Sequence, residues 1–188
     1  MPDDTLHVLG FAGSLRRASY NRGLLRAAVE TASADVVVTT FDLSSIPPYC
    51  MDLEAGGGPE PVRELKTAVA AADALLIATP EHNYSFPGVL KNALDWVSRP
   101  ANSSPFIGKP VAIMGASSGR FGTARAQVAL RPVLASLDML VMSKPELFVT
   151  QAEKVCDEDG SVVDQATRER IYDVIRALAA WARQLRAG

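Results

Sequence analysis

The sequence has little of several things that would settle a protein's class at once. Two cysteines, Cys50 and Cys156, occur in 188 residues. Neither belongs to a C-x-x-C pair and no Cys/His cluster has metal spacing, so no metal site is expected. Two separate thiols suit a reducing, cytoplasmic setting. Charge of one sign is not in excess: 19 Lys+Arg stand against 21 Asp+Glu, a net charge of -2. That excludes the basic footprint of a nucleic-acid binder. It also excludes the strongly acidic surface of a carrier that docks on basic partners. The apolar runs are strand-length, far too short to span a bilayer, so no membrane partner is expected. The start, Met1-Pro2-Asp3-Asp4, is acidic and has no apolar run behind a basic segment, so no secretory leader is expected. No internal repeat and no low-complexity segment breaks the chain. Both common glycine-rich phosphate signatures, G-x-x-x-x-G-K-[ST] and G-x-G-x-x-G, are missing after the first strand.

What is present is the balance of a globular protein, 48% hydrophobic and 21% charged. Its length fits one domain, residues 1–188, with a sizeable core. Strand-like and helix-like stretches alternate. Residues 6–12 (LHVLGFA), 35–41 (DVVVTTF), 74–79 (ALLIAT) and 110–115 read as strands. A fifth strand lies within 140–149, with a break at Pro145. Helices are expected from about Asn21, with Leu24, Leu25, Ala28 and Val29 on one face, and from Pro61, with Val62, Leu65 and Val69. Another opens at Pro87, with Val89, Leu90, Ala93, Leu94 and Val97 as its stripe. A fourth runs over 123–137, where Pro132 either kinks it or marks its true start. The fifth covers 167–185, with Ile171, Val174, Ile175, Leu178, Ala182 and Leu185 facing inward. Residues 43–61 read as a long irregular loop. Five such strands and helices suit an α/β, flavodoxin-like three-layer sandwich: a five-stranded parallel sheet, order 2-1-3-4-5, with helices on both faces. Right-handed crossovers then bring the loops after strands one, three and four to one edge, where open α/β sheets bind ligands.

The first of these loops is GSLRRASYN, residues 13–21. Gly13 permits a sharp turn; Ser14, Ser19 and Asn21 offer short donors, and Arg16 a forked cation. The helix that follows adds free N–H groups and a positive dipole end. A phosphate site results, and the missing dinucleotide fingerprint favours a mononucleotide. Simple capping by Ser19 or Asn21, with both arginines solvated, is the plainer alternative, and for Arg17 it is preferred. The second loop, TPEHNYSFPG, places Pro80, Glu81, His82, Asn83 and Tyr84 at the sheet edge. Peptide N–H groups and an aromatic side chain there suit a flat heteroaromatic ring. His82 reads as an exposed loop histidine with no partner carboxylate, and Trp96 as core. In the third loop, GASSGRFG, Ser117, Ser118 and Gly119 are small enough for a ring to approach the backbone.

GSLRRASYN, TPEHNYSFPGVLKNALDW and GKPVAIMGASSGRFGTARAQ, in that order and spacing, resemble the NADPH-dependent FMN reductase family, a flavodoxin-like group of quinone, chromate and azo-compound reductases. The resemblance implies non-covalent FMN, its phosphate held by Ser14, Arg16, Ser19, Tyr20 and Asn21. It implies ring contacts from Pro80, Glu81, His82, Asn83 and Tyr84, and outer contacts from Ser117, Ser118 and Gly119. Many members carry a tyrosine-like residue where His82 stands. NADPH or NADH would deliver a hydride to the flavin, and a small-molecule electron acceptor (free flavin, quinone, azo compound or chromate) would then take the electrons. The protein supplies position and electrostatics, and no catalytic acid or base is expected. Members associate as homodimers or homotetramers, and Lys144-Pro145-Glu146 resembles a stretch that helps tetramers form. A flavodoxin-type carrier without turnover is the rival, though its phosphate loop would lack an arginine. A receiver-like domain would need acidic residues where Gly13-Ser14 stand; Asp3 and Asp4 precede the strand.

Overall fold

Strand β1, Leu6–Ala12, is apolar on both sides, and the reason is its position. In the computed structural model, which describes residues 5–187, it lies between β2 (Val36–Phe41) and β3 (Ala74–Ala78), parallel to both. The acidic start, with Asp3 and Asp4, lies outside the described residues. Successive side chains of a strand point to opposite faces. Leu6 and Val8 accordingly join the core beneath α1 (Tyr20–Thr31) and α5 (Gln165–Ala187). Leu9 and Phe11 join the core beneath α2 (Glu60–Ala71), α3 (Gly88–Val97) and α4 (Ala124–Ser136). The same split runs through β3 and β4 (Pro110–Ala116), as expected for a parallel sheet covered by helices on both faces.

The strand order is β2-β1-β3-β4-β5, the flavodoxin-like order expected from the sequence. The fifth position is filled by two short strands. β5 (Leu140–Val141) pairs with Pro110 and Val111 of β4, and β6 (Leu147–Val149) pairs with Met114 to Ala116. Pro145 falls between them, where a residue with no N–H cannot continue a ladder.

Two expectations are corrected, and one of two alternatives is closed. Val29 is 46% exposed, because α1 docks through Leu24, Ala27 and Ala28 and Val29 lies on the solvent side of that face. Leu185 is 42% exposed: 23 helical residues reach beyond a seven-residue strand, and the last turn of α5 overhangs the sheet. Pro132 does not mark the start of α4, which runs through it from Ala124. Pro132 lies on the exposed side with Val128, so solvent can serve the carbonyl left without a donor.

The stretch 43–61 is more ordered than its composition suggests. It contains short 3-10 turns at Leu43–Ser45, Met51–Leu53 and Ala55–Gly57 before α2, with Pro61 in that helix's first turn. Trp96 Nε1 and Asn92 Nδ2 each donate to the Pro47 carbonyl at 2.8 Å, and the Tyr49 N–H donates to Asn92 Oδ1 at 2.7 Å. Trp96 is fully buried, as expected.

Candidate active site

The C-terminal ends of β1, β3 and β4 align at one edge of the sheet, and the loops leaving them enclose a cleft of about 580 Å³. Ten residues expected from sequence line it: Ser14, Arg16, Ser19, Tyr20, Asn21, Pro80, Glu81, His82, Ser117 and Ser118.

In loop one, Ser19 is buried and caps α1, its Oγ accepting the Arg22 N–H at 3.4 Å. The amides of Tyr20 and Asn21 belong to the first turn, whose N–H groups and positive dipole end suit an anion. Capping and anion binding are therefore compatible uses of one helix start. Arg16 folds across the loop: Nη2 donates to the Ala18 carbonyl at 2.7 Å, and the guanidinium lies 5.0 Å from the Tyr20 ring centroid. Arg17 is exposed and lies outside the cleft lining, in line with a solvated charge. Asn21 departs from expectation. Its amide is occupied in both directions by the backbone of one buried residue, donating to the Ala116 carbonyl at 3.0 Å and accepting the Ala116 N–H at 2.9 Å. The side chain thus braces loop one against the end of β4.

In loop two, His82 and Ser85 exchange N–H···O=C bonds of 2.9 Å each way, closing a two-residue turn. The turn residues, Asn83 and Tyr84, have φ of 51° and 65°. Positive φ at both central positions marks the mirror-image turn that fits strand twist. This puts Asn83 and Tyr84 at the rim rather than in the lining, with Tyr84 73% exposed. His82 is exposed and opens on the cleft. Glu81 lines the cleft, yet its carboxylate pairs with Arg125 at the start of α4. That hydrogen bond holds the Arg125 guanidinium still more firmly protonated than usual.

In loop three, Ser117 Oγ accepts the Gly119 N–H at 3.1 Å, and the Ser117 N–H donates to the Val149 carbonyl at 3.0 Å. Gly119, like Asn83 and Tyr84, stays outside the lining. Sequence reasoning missed Leu15, Ala116 and the first turn of α3 (Pro87, Gly88, Val89), all of which line the cleft. Pro87, read as the opening of a helix directly after loop two, was the available signal. Arg125 was missed too, and nothing local marks it as the partner of Glu81.

A parallel α/β sheet with a capped helix start and an arginine at its topological switch point defines a mononucleotide-binding protein of the flavodoxin type. The sequence model of the NADPH-dependent FMN reductases matches residues 6–154, and the chain belongs to that family. It is 48% identical to an NAD(P)H-dependent FMN reductase of Pseudomonas aeruginosa, over 97% of this chain and 98% of that one. It is 43% identical to a 2-hydroxy-1,4-benzoquinone reductase of a Burkholderia species, over 96% of this chain and 98% of the relative. Its fold superposes on the flavoenzyme NAD(P)H:(acceptor) oxidoreductase of Paracoccus denitrificans with a TM-score of 0.87 and 34% identity, over 96% and 98% of the two chains. The chain is a flavin-dependent oxidoreductase that uses FMN and NAD(P)H. Among the described residues no helix is long and apolar enough to cross a membrane.

Proposed function

We propose that this enzyme holds FMN in the three-loop cleft and uses NADPH or NADH to reduce a small quinone-type acceptor. The observation that carries the assignment is the convergence of the capped α1 start, Arg16 and two further loops of small and flat residues on one cleft of about 580 Å³. The donor set fits the cofactor. A phosphate dianion asks for several short-range donors, and Ser14, the Ser19 hydroxyl, the Tyr20 and Asn21 amides and Arg16 supply them. Pro80, Glu81 and His82 line the ring side, with Asn83 and Tyr84 at its rim, and Ser117 and Ser118 line its outer edge, with Gly119 just outside.

FMN held there would supply the hydride chemistry between a reduced nicotinamide and the acceptor. The chain's own part is to bind, orient and shield. Arg16 and the α1 dipole balance the phosphate charge. The paired backbone bonds of His82 and Ser85 keep loop two in one shape. Leu15 and Val89 give the cleft apolar wall. A quinone suits the acceptor place because two relatives of nearly full overlap are named for flavin and for a benzoquinone. The reading takes residues 1–188 as one flavodoxin-like unit in the cytoplasm. It assembles as a homodimer or homotetramer, a reading that the exposed apolar side chains Tyr84, Phe121 and Val128 support.

The test is direct. Purified protein should show a flavin absorption spectrum that NADPH or NADH bleaches and a benzoquinone restores. Arg16→Ala should lose most of its FMN. Wild-type flavin occupancy in that variant after gel filtration would overturn the phosphate assignment.

A further inference from the structure

Glu81 follows Pro80 at the lip of the cleft, yet its side chain is only 7% exposed. Oε2 accepts the Arg125 N–H at 3.0 Å and the Ala126 N–H at 3.3 Å. Oε1 pairs with the Arg125 guanidinium through Nε and Nη2. The guanidinium lies 4.0 Å from the Tyr84 ring centroid and 4.4 Å from that of Phe121. Helix α4 has no cap of its own: Thr123 takes the N-cap position in the left-handed region, and its side chain caps nothing. One carboxylate, 44 residues earlier in the chain, therefore satisfies the helix start, neutralises its arginine and ties loop two to the helix that loop three leads into.

We propose that Glu81 is the positioning residue of the flavin-ring side of the cleft, fixing the spacing of loops two and three and cancelling the positive charge of Arg125 and the α4 N-terminus. This rests on reading the cleft as the FMN site. A carboxylate at a helix N-terminus is stabilised by the dipole as well as by its hydrogen bonds. If it is removed, the helix end and a half-exposed arginine stand uncompensated beside loops two and three. A reduced flavin is more negative than an oxidised one, so an uncompensated cation favours the reduced form. Loss of the Glu81 charge thus has two separable consequences, a looser ring site and a more positive flavin potential.

The experiment compares Glu81→Ala, Glu81→Gln and Glu81→Gln/Arg125→Gln with wild type. Three readouts are used: hydrogen exchange of the Arg125 and Ala126 amides in apoprotein, FMN dissociation constant by fluorescence, and flavin midpoint potential. Glu81→Ala should speed exchange of both amides and weaken FMN binding, each by about ten-fold. Glu81→Gln keeps one acceptor oxygen without the charge. It should shift the potential to more positive values, and the added Arg125→Gln should return it toward wild type. Unchanged exchange and affinity in Glu81→Ala, or an unmoved potential in Glu81→Gln, would overturn the proposal. If Glu81→Ala does not fold, the potentials of the single and double glutamine variants decide alone. If wild type takes up no FMN, the functional reading fails, while amide exchange still decides whether Glu81 ties the loops together.

Discussion

Asn21 shows how much one buried amide can hold. It satisfies both the backbone N–H and the backbone C=O of Ala116, 95 residues away, and is itself 3% exposed. Removing a partner from a buried donor or acceptor costs its desolvation, about 1–3 kcal/mol. Asn21→Ala should therefore lower the urea midpoint by an amount equivalent to about 1–3 kcal/mol, with an unchanged m-value. An unchanged midpoint would mean that Ala116 finds other partners. Glu81 has the same logic with a charge added, since its carboxylate serves two backbone amides and one guanidinium. In each case the residue type announced polarity, and only its partner revealed whether that polarity faced a ligand or the protein.

At the level of elements, loop one is supported from behind by a segment whose role the sequence did not announce. Residues after β6 make a 3-10 turn at Ala152–Lys154 and then a Cys156–Val162 bridge that closes around Gly160, which has φ of 75°. Gly160 packs against Ala18 and Ser19, and a Cβ built on Gly23 of α1 would lie 1.7 Å from the Gly160 carbonyl oxygen. Arg26 fastens the same contact from α1, donating to the Asp159 carbonyl and to Ser161 Oγ at 3.1 Å each. Alanine inside a helix ordinarily gains up to about 1 kcal/mol over glycine. Gly23→Ala should nonetheless destabilise, by about 1–3 kcal/mol, because the obstacle is backbone and the helix must move off it. The same shift displaces Ser19, so FMN affinity should fall with stability. A stabilised variant with full affinity would show the contact to be yielding.

For the whole molecule, the charged groups set the limits of pH stability. Asp164 is held below the usual carboxylate range by hydrogen bonds from Thr167, and Asp42 chiefly by the Ser44 N–H, with Arg22 assisting. Lys144 does the same for Glu146. A lowered folded-state pKa means the folded state releases these protons first. That stability is present above the ordinary carboxylate range, near pH 4, and is lost as pH falls through it. Burial pushes the Cys156 thiol in the other direction, up to about 11. Its contribution is present below the ordinary thiol range and is lost as pH rises toward that value. Denaturant midpoints measured across pH should therefore be flat from about 5 to 8 and fall on both sides. Cys156→Ala should flatten the alkaline limb and leave the acid limb unchanged.

The sequence by itself determined the sheet and where its ligand edge lies. Continuous apolar strands, separated by helices with one apolar stripe, leave few arrangements once crossovers are right-handed. That is why β1 was legible to the residue and the strand order was legible at all. The same reading placed ten residues on the cleft, because loop position follows from topology. Tertiary structure alone decided which polar side chains face the ligand and which hold the loops. The amide of Asn21 and the carboxylate of Glu81 turn inward because Ala116 and Arg125, distant in sequence, need partners where burial removes water. A pattern of spacing records which face of an element is apolar. It carries no record of a hydrogen bond made across 44 or 95 residues.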